Sequence, residues 1–314
     1  MKLLPSLGLV LLLLAAPAPP RAQTQAPTRD QLAKDNKLFI TLASKTLKWE
    51  EPAEPVRIAG PLYFVGTQGL GVYLITTSDG LVLINTGMPS SGPMIAASIR
   101  KLGFKPEDIK VLVTSHAHAD HAGGIAYLKD LSGGKLAMME ADIASMEDGG
   151  KSDFHYGTDW KVMGFPAAKV DRVLRDGDTV KLGDIVLTAL ATPGHTRGDT
   201  TWTTTIVDGG KAYVVVWPDG MSVNPGYALA GHPSYPGIAD DFRRTAARLE
   251  LLKPDIWLVS HTERFDIEGK RTRAKTQGVA AWVDPEGYRR YIAAQRQAFE
   301  DEMNRELGVE GAVK

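Results

Sequence analysis

Ile109-Lys110-Val111-Leu112-Val113-Thr114-Ser115-His116-Ala117-His118-Ala119-Asp120-His121-Ala122-Gly123-Gly124 is the stretch on which the reading of this chain turns. Its first five residues form a short apolar run of strand type. The histidine cluster begins three residues after that run, and Gly123-Gly124 then opens a helical segment from Ile125 to Leu131. The cluster therefore sits at the C-terminal end of a strand, where open α/β sheets bind ligands. In an extended segment His116 and His118 point the same way, while Asp120 and His121, one step on, can face a second site. Imidazole and carboxylate at this density suit Zn²⁺, which takes nitrogen and oxygen ligands at ~2.0–2.2 Å. The bland alternative, a solvated histidine-rich turn, fits poorly with a buried strand before it and a glycine pair after it.

A two-metal site needs further ligands. The chain has 7 histidines, and two more of them follow apolar strands. His195 lies in Thr192-Pro193-Gly194-His195-Thr196, after a strand ending at Ala191, and His261 lies in Val259-Ser260-His261-Thr262. Three strand ends thus deliver histidines to what should be one edge of a sheet. His155, in a polar loop, and His232, before Pro233, lack that setting and read as surface residues.

Length and composition bound the rest. With 314 residues and 43% apolar content, the chain can bury a sizeable core. A balance of 36 basic and 37 acidic residues favours neither nucleic acid nor an anionic membrane, so a small molecule is the simpler partner. There is no cysteine, which removes disulfides and every thiolate role, catalytic or ligating. Residues 1–22 read as an export signal: Lys2 supplies the positive start and Leu7 to Ala16 an apolar run shorter than the ~20 residues that span a bilayer. Cleavage near Ala22-Gln23 would give a mature protein in the periplasm, free of a membrane segment and, lacking cysteine, of a lipid anchor.

Residues 23–314 read as one domain with an N-terminal extension, weakly helical around Leu32, Leu38, Ile40 and Leu42, that packs on the main body. Strands are expected at Pro61–Val65, Val72–Ile75, Leu81–Ile84, Ile109–Val113, Leu136–Met139, Ile185–Ala191, Trp202–Val207, Ala212–Val216 and Ile256–Val259. Helices are expected from Gly92 to Leu102, capped by Ser91 and stopped by Gly103, from Ile238 to Leu252, and from Pro285 toward Leu307. Asp284 caps the last, with Pro285 in its first turn, where a missing N–H costs nothing.

These motifs resemble the metallo-β-lactamase superfamily, and the run from Val56 to Tyr291 resembles its subclass B3 β-lactamases. The resemblance rests on Trp49, Ser115 to Gly124, Pro193-Gly194-His195-Thr196, Asn224-Pro225-Gly226-Tyr227 and Asp284-Pro285-Glu286-Gly287-Tyr288. Subclass B1 uses a cysteine ligand, which this chain lacks, and subclass B2 has asparagine where His116 stands. The resemblance implies an α/β four-layer αββα sandwich and two zinc ions per chain, the first on His116, His118 and His195, the second on Asp120, His121 and His261. It implies hydrolysis of a small-molecule β-lactam by attack of a metal-activated hydroxide that Asp120 orients, in a monomer, with resistance to penicillins, cephalosporins and carbapenems. Ser222 is the candidate for the substrate carboxylate, and Trp49, Tyr156 and Trp160 are candidate walls of the cleft. A lactone or thioester hydrolase of the same fold is the alternative.

The sequence departs from the family's pattern at two places. Ile84-Asn85-Thr86-Gly87 carries asparagine where the family often has aspartate, so no negative charge is available there to raise ligand basicity. Subclass B3 commonly has two serines near Pro218-Asp219-Gly220-Met221-Ser222, matching Gly220 and Ser222, and only the second is present. Asp219 lies close to where thioesterase-type members place a metal-bridging carboxylate; support of its loop is the expected role.

Overall fold

The computed structural model describes residues 29–159 and 163–309. The export segment and Trp160 lie outside the described residues. Strands β1 (Val56–Ala59), β2 (Leu62–Phe64), β3 (Tyr73–Thr77), β4 (Gly80–Ile84), β5 (Ile109–Val113), β6 (Lys135–Met139) and β7 (Arg172–Leu174) form one sheet in sequence order. It is antiparallel from β1 to β4 and parallel from β4 to β7. A second sheet has the order β12 (Ile256–Trp257), β11 (Lys211–Trp217), β10 (Thr200–Asp208), β9 (Ile185–Ala191) and β8 (Thr179–Leu182). Only its β11–β12 pair is parallel.

The layers follow from the period-2 alternation of strands buried on both faces. In the first sheet Tyr73, Ile75, Val82, Ile84, Val113 and Met139 point inward, where they meet Trp202, Ile206 and Val215 of the second. The intervening Leu74, Leu83, Leu112 and Leu136 point outward, against Ile95 and Ile99 of α2 (Ser91–Lys101) and Ile125 and Leu128 of α4 (Ile125–Ser132). The second sheet's outer face is covered by α6 (Ile238–Leu251) and α8 (Pro285–Leu307) through Phe242, Leu249, Tyr288, Ile292 and Phe299. The result is the αββα sandwich that the resemblance implies. The other α-helices among the described residues are α1 (Arg29–Thr46), α3 (Ala119–Ala122), α5 (Ile143–Asp148) and α7 (Ile267–Gln277).

Several expected boundaries shift. Ser90, not Ser91, occupies the cap position of α2, and Gly103 follows its end at φ +87°. Strand β12 has only two residues, although the Leu258 N–H continues the ladder to the Val216 carbonyl at 2.9 Å. Helix α7 is absent from the sequence reading because its sequence, IEGKRTRAKTQ, has no apolar stripe. Asp284 caps α8 as expected, accepting from the Gly287 N–H at 2.9 Å.

Two ties lock the sheets together beside the histidine segments. Trp202, fully buried between the sheets, donates Nε1–H to the Thr114 carbonyl at 3.0 Å, two residues before His116. Tyr73 donates its hydroxyl to the Val259 carbonyl at 2.7 Å, two residues before His261. Removing the first donor leaves a buried carbonyl unsatisfied, at a cost of about 1–3 kcal/mol. Trp202→Phe is therefore expected to lower stability by about that amount, and Trp202→Ala by about 3–5 kcal/mol through the added cavity. Denaturant midpoints at constant slope check both.

Candidate metal centre

The C-terminal ends of β5, β9, β11 and β12 open on one edge of the sandwich. His116, His118, Asp120 and His121 follow β5, His195 follows β9 and His261 follows β12, with Asp219 after β11. All six residues expected to hold metals converge there. They form two trios.

In the first, the rings of His116, His118 and His195 make a triangle with centroids 4.6 to 4.9 Å apart. Two of the rings are tied on their outer edges to an oxygen, and the third faces a carboxyl group. His195 Nδ1 is 2.8 Å from the Ser222 carbonyl, which can only accept, so the proton sits on Nδ1 and the Nε2 lone pair faces inward. His118 Nε2 is 3.1 Å from Asp153 Oδ2, which leaves Nδ1 to face inward. His116 Nδ1 lies 3.3 Å from Asp199 Oδ2, and its Nε2 is buried with no protein partner. The inward nitrogens of His118 and His195 are 3.1 Å apart. That short separation calls for a proton or a metal ion between the two nitrogens, and the His116 nitrogen beside them is orphaned. The donor set thus fits a metal ion through three nitrogens.

Electrostatics keep most of these ligands in the neutral form that metals bind. Burial, reinforced by the neighbouring His118, depresses His195 to about 3. Burial and His121 push His116 well below its ordinary value. His118 goes the other way: burial would lower it, but the Asp153 carboxylate outweighs burial and raises it.

The second trio is Asp120, His121 and His261. Asp120 Oδ2 lies 3.4 Å from His121 Nε2 and 3.5 Å from His261 Nε2. The His121 ring is fixed from behind by Ser115 Oγ, 3.1 Å from Nδ1. Burial alone would raise the Asp120 carboxyl; the facing His121, His261 and His116 outweigh it and hold the group well below the usual carboxylate range. Burial and the Arg264 charge depress His261 to about 3.

The two departures noted in the sequence have structural reasons. Asn85 is buried at φ +62°, a left-handed conformation that asparagine tolerates. Its Oδ1 accepts from the Ser115 N–H at 2.9 Å and the Thr114 hydroxyl at 3.1 Å, while Nδ2 donates to Ser260 Oγ at 2.9 Å. One neutral amide therefore joins the segment carrying His116 to the one carrying His261, using an acceptor and a donor together. Gly220 has φ +98°, and a Cβ there would stand 1.9 Å from the Thr192 carbonyl oxygen, so serine does not fit. Asp219 supports its loop as expected, with Oδ1 accepting from the Gly220 N–H at 2.9 Å. Its Oδ2 also comes within 3.6 Å of His116 Nδ1, beside Asp199. Burial and the charge of Asp219 push the Asp199 carboxyl well above its ordinary range; burial would do the same to Asp219, but the His116 contact overrides it and holds that group low. The charge of this pair thus resides on Asp219.

Above the trios lies a cleft of ≈ 230 Å³. Trp49 lines it with its ring 5.4 Å from that of His261, and Tyr156 lines it 5.0 Å from His118, so two of the three residues expected as walls border the cleft, the third being Trp160, outside the described residues. The Tyr156 hydroxyl accepts from Asn224 Nδ2 at 2.7 Å. Phe39 and Leu47, on and just beyond α1, complete the rim, which places the N-terminal extension at the mouth of the site. Ser222 also lines the cleft. His232 is exposed, as expected. His155 is not a surface residue: it is buried, its ring 4.6 Å from Tyr156 and 4.7 Å from Tyr227, and burial lowers it to about 4. Asp153, Asp199 and Arg264 escaped the sequence reading. Asp153 and Asp199 belong to no ligand-like spacing, and only their burial against His118 and His116 reveals them.

The metallo-beta-lactamase superfamily model matches residues 72–261. The chain belongs to that superfamily. Among solved structures it resembles the native FEZ-1 metallo-beta-lactamase from Legionella gormanii, with 44% identity over 82% of this chain and 98% of that one, at TM-score 0.79. It also resembles BJP-1, a subclass B3 metallo-beta-lactamase of Bradyrhizobium japonicum, with 38% identity over 85% and 98% of the two chains, at TM-score 0.79. Curated relatives match less of the chain. A hydroxyacylglutathione hydrolase of Rhodopseudomonas palustris (strain BisB18) is 34% identical over 124 residues, 40% of this chain and 39% of its own length. An N-acyl homoserine lactonase of Bacillus cereus is 32% identical over 75 residues, 17% of this chain and 30% of its own. The match to the curated relatives thus spans well under half of their length. As a superfamily member, the chain is built as a metallo-hydrolase of this fold.

Partners that orient a metal-ligating imidazole typically contribute 10–100-fold to metal affinity. Asp153→Asn, which keeps the shape but loses the charge, is expected to weaken zinc binding by about that factor. Competition with a chromophoric chelator measures it; an unchanged affinity would remove Asp153 from the site.

Proposed function

We propose that this protein is an exported, zinc-dependent β-lactam hydrolase with two zinc ions per chain. The observation that carries the reading is the pair of inward-facing ligand trios on the floor of one cleft. No cysteine exists in the chain, and the ligand atoms need no covalent nucleophile beside them. Zinc bound at such a pair lowers the pKa of water to about 7 and polarises a carbonyl.

The chain's own residues do the rest. His116, His118 and His195 would hold the first ion, and Asp120, His121 and His261 the second. Asp120, kept ionised, accepts a hydrogen bond from the attacking water and aims it. Trp49 and Tyr156 exclude solvent from the two sides of the cleft. Extensive likeness to solved β-lactamases supports the amide-like substrate over a lactone or thioester, for which the related stretches are shorter. Periplasmic location, the monomeric state and β-lactam resistance in the host belong to the same proposal.

Dialysis against a strong chelator is expected to abolish hydrolysis of penicillin, cephalosporin and carbapenem substrates, and added Zn²⁺ to restore it. His118→Ala is expected to lose at least about 10³-fold in kcat/KM, ~4 kcal/mol of transition-state stabilisation, with the fold retained by circular dichroism. Hydrolysis of a lactone or thioester with all three β-lactams left intact would replace the β-lactam reading.

A further inference from the structure

Among the described residues the cleft contains one arginine, and its surroundings differ from those of the surface arginines. Arg57, Arg100 and Arg296 each reach a carboxylate at 2.6 to 2.9 Å. Arg264 instead bonds to a neutral hydroxyl: its Nη1 donates to Ser222 Oγ at 2.7 Å. The Tyr291 hydroxyl is its other hydrogen-bonding neighbour. Among the described residues the one acid paired with it, Glu263, stands 3.7 Å from Nε, beyond direct hydrogen bonding. The hydroxyls orient the guanidinium, and Glu263 and Asp219 offset part of its charge without a short carboxylate contact. Arg264, Ser222 and Tyr291 all line the same cleft as the trios.

The backbone fixes this charge relative to both trios. Arg264 closes the short turn Thr262–Arg264, and its N–H donates to the His261 carbonyl at 3.1 Å. Ser222 is tied to the first trio through the carbonyl that accepts from His195 Nδ1. Because Ser222 Oγ accepts from the guanidinium, its own O–H remains to be donated. The cleft wall therefore offers a held cation and a hydroxyl donor side by side, a pair matched to a carboxylate.

We propose that Arg264, with Ser222 as the second point of contact, recognises a carboxylate on the substrate and thereby restricts the site to anionic substrates. The proposal rests on the hydrolase reading and sharpens it. Ser222, expected from the sequence to bind the substrate carboxylate directly, also serves to position Arg264. A neutral lactone offers the guanidinium no carboxylate partner, and so is disfavoured.

The test uses zinc-loaded protein and two thiols that differ only in charge, 3-mercaptopropionate and 3-mercapto-1-propanol, titrated by calorimetry. The wild type is expected to bind the acid about 10–100-fold more tightly, as for a charge-assisted hydrogen bond. Arg264→Met should bind both alike and Arg264→Lys should fall between, with zinc content unchanged. Arg264→Gln, which keeps a donor for Ser222, serves as the second variant if methionine disturbs the turn. In turnover, Arg264→Met should raise KM about 10–100-fold for a cephalosporin, with kcat within about threefold, and leave its carboxyl methyl ester unaffected. An acid preference that survives in both the methionine and glutamine variants overturns the assignment. If the wild type leaves the cephalosporin intact while the thiol preference still tracks Arg264, the β-lactam reading fails and the arginine assignment stands.

Discussion

The rest of the site depends on one constraint, that the imidazoles of the first trio back onto oxygen atoms and turn a nitrogen each toward one another. A carbonyl at His195 and the Asp153 carboxylate at His118 claim the outer nitrogens, and His116 Nδ1 faces the Asp199 and Asp219 carboxyl groups. Each ring is left with one lone pair, and the lone pairs converge. A histidine side chain free to rotate or change tautomer would relax this crowding. Packing against the inter-sheet core prevents it, because every ring of the trio is buried.

The two sheets make that constraint possible. No single strand carries a trio: the first draws on the ends of β5 and β9, which belong to different sheets, and the second on the ends of β5 and β12. Their separation is set by the inter-sheet ties at Trp202 and Tyr73 and by the Asn85 amide, which spans the segments on either side. Gly220 belongs to the same scheme, since only a residue without Cβ lets the β11 loop lie against Thr192 and bring Ser222 to His195. Metal binding and the hydrophobic core are therefore coupled, and a core substitution near β10 acts on the site without touching it.

Much of this was legible in the sequence, for a physical reason. Ligand atoms must sit at strand ends, and strand ends are marked by apolar runs that stop, so His116, His118, His121, His195 and His261 could be placed together without coordinates. The long strands and the helices α2, α6 and α8 announce themselves through periodicity. What stayed hidden depends on tertiary neighbours. His155 reads as a loop residue because its loop is polar, yet that loop folds inward over Tyr227. Asp153 and Asp199 act through rings that are distant in sequence, and α7 has no apolar face to find. Arg264 looks like any surface cation until its partners prove to be hydroxyls.

Anomalous diffraction at the zinc edge from crystals grown with zinc tests the central claim most directly. The account predicts two peaks, one within ~2.0–2.2 Å of His116 Nε2, His118 Nδ1 and His195 Nε2, the other at that distance from Asp120, His121 Nε2 and His261 Nε2. Zinc bound through the outer nitrogens of the first trio, or no peak between its three rings, would contradict it.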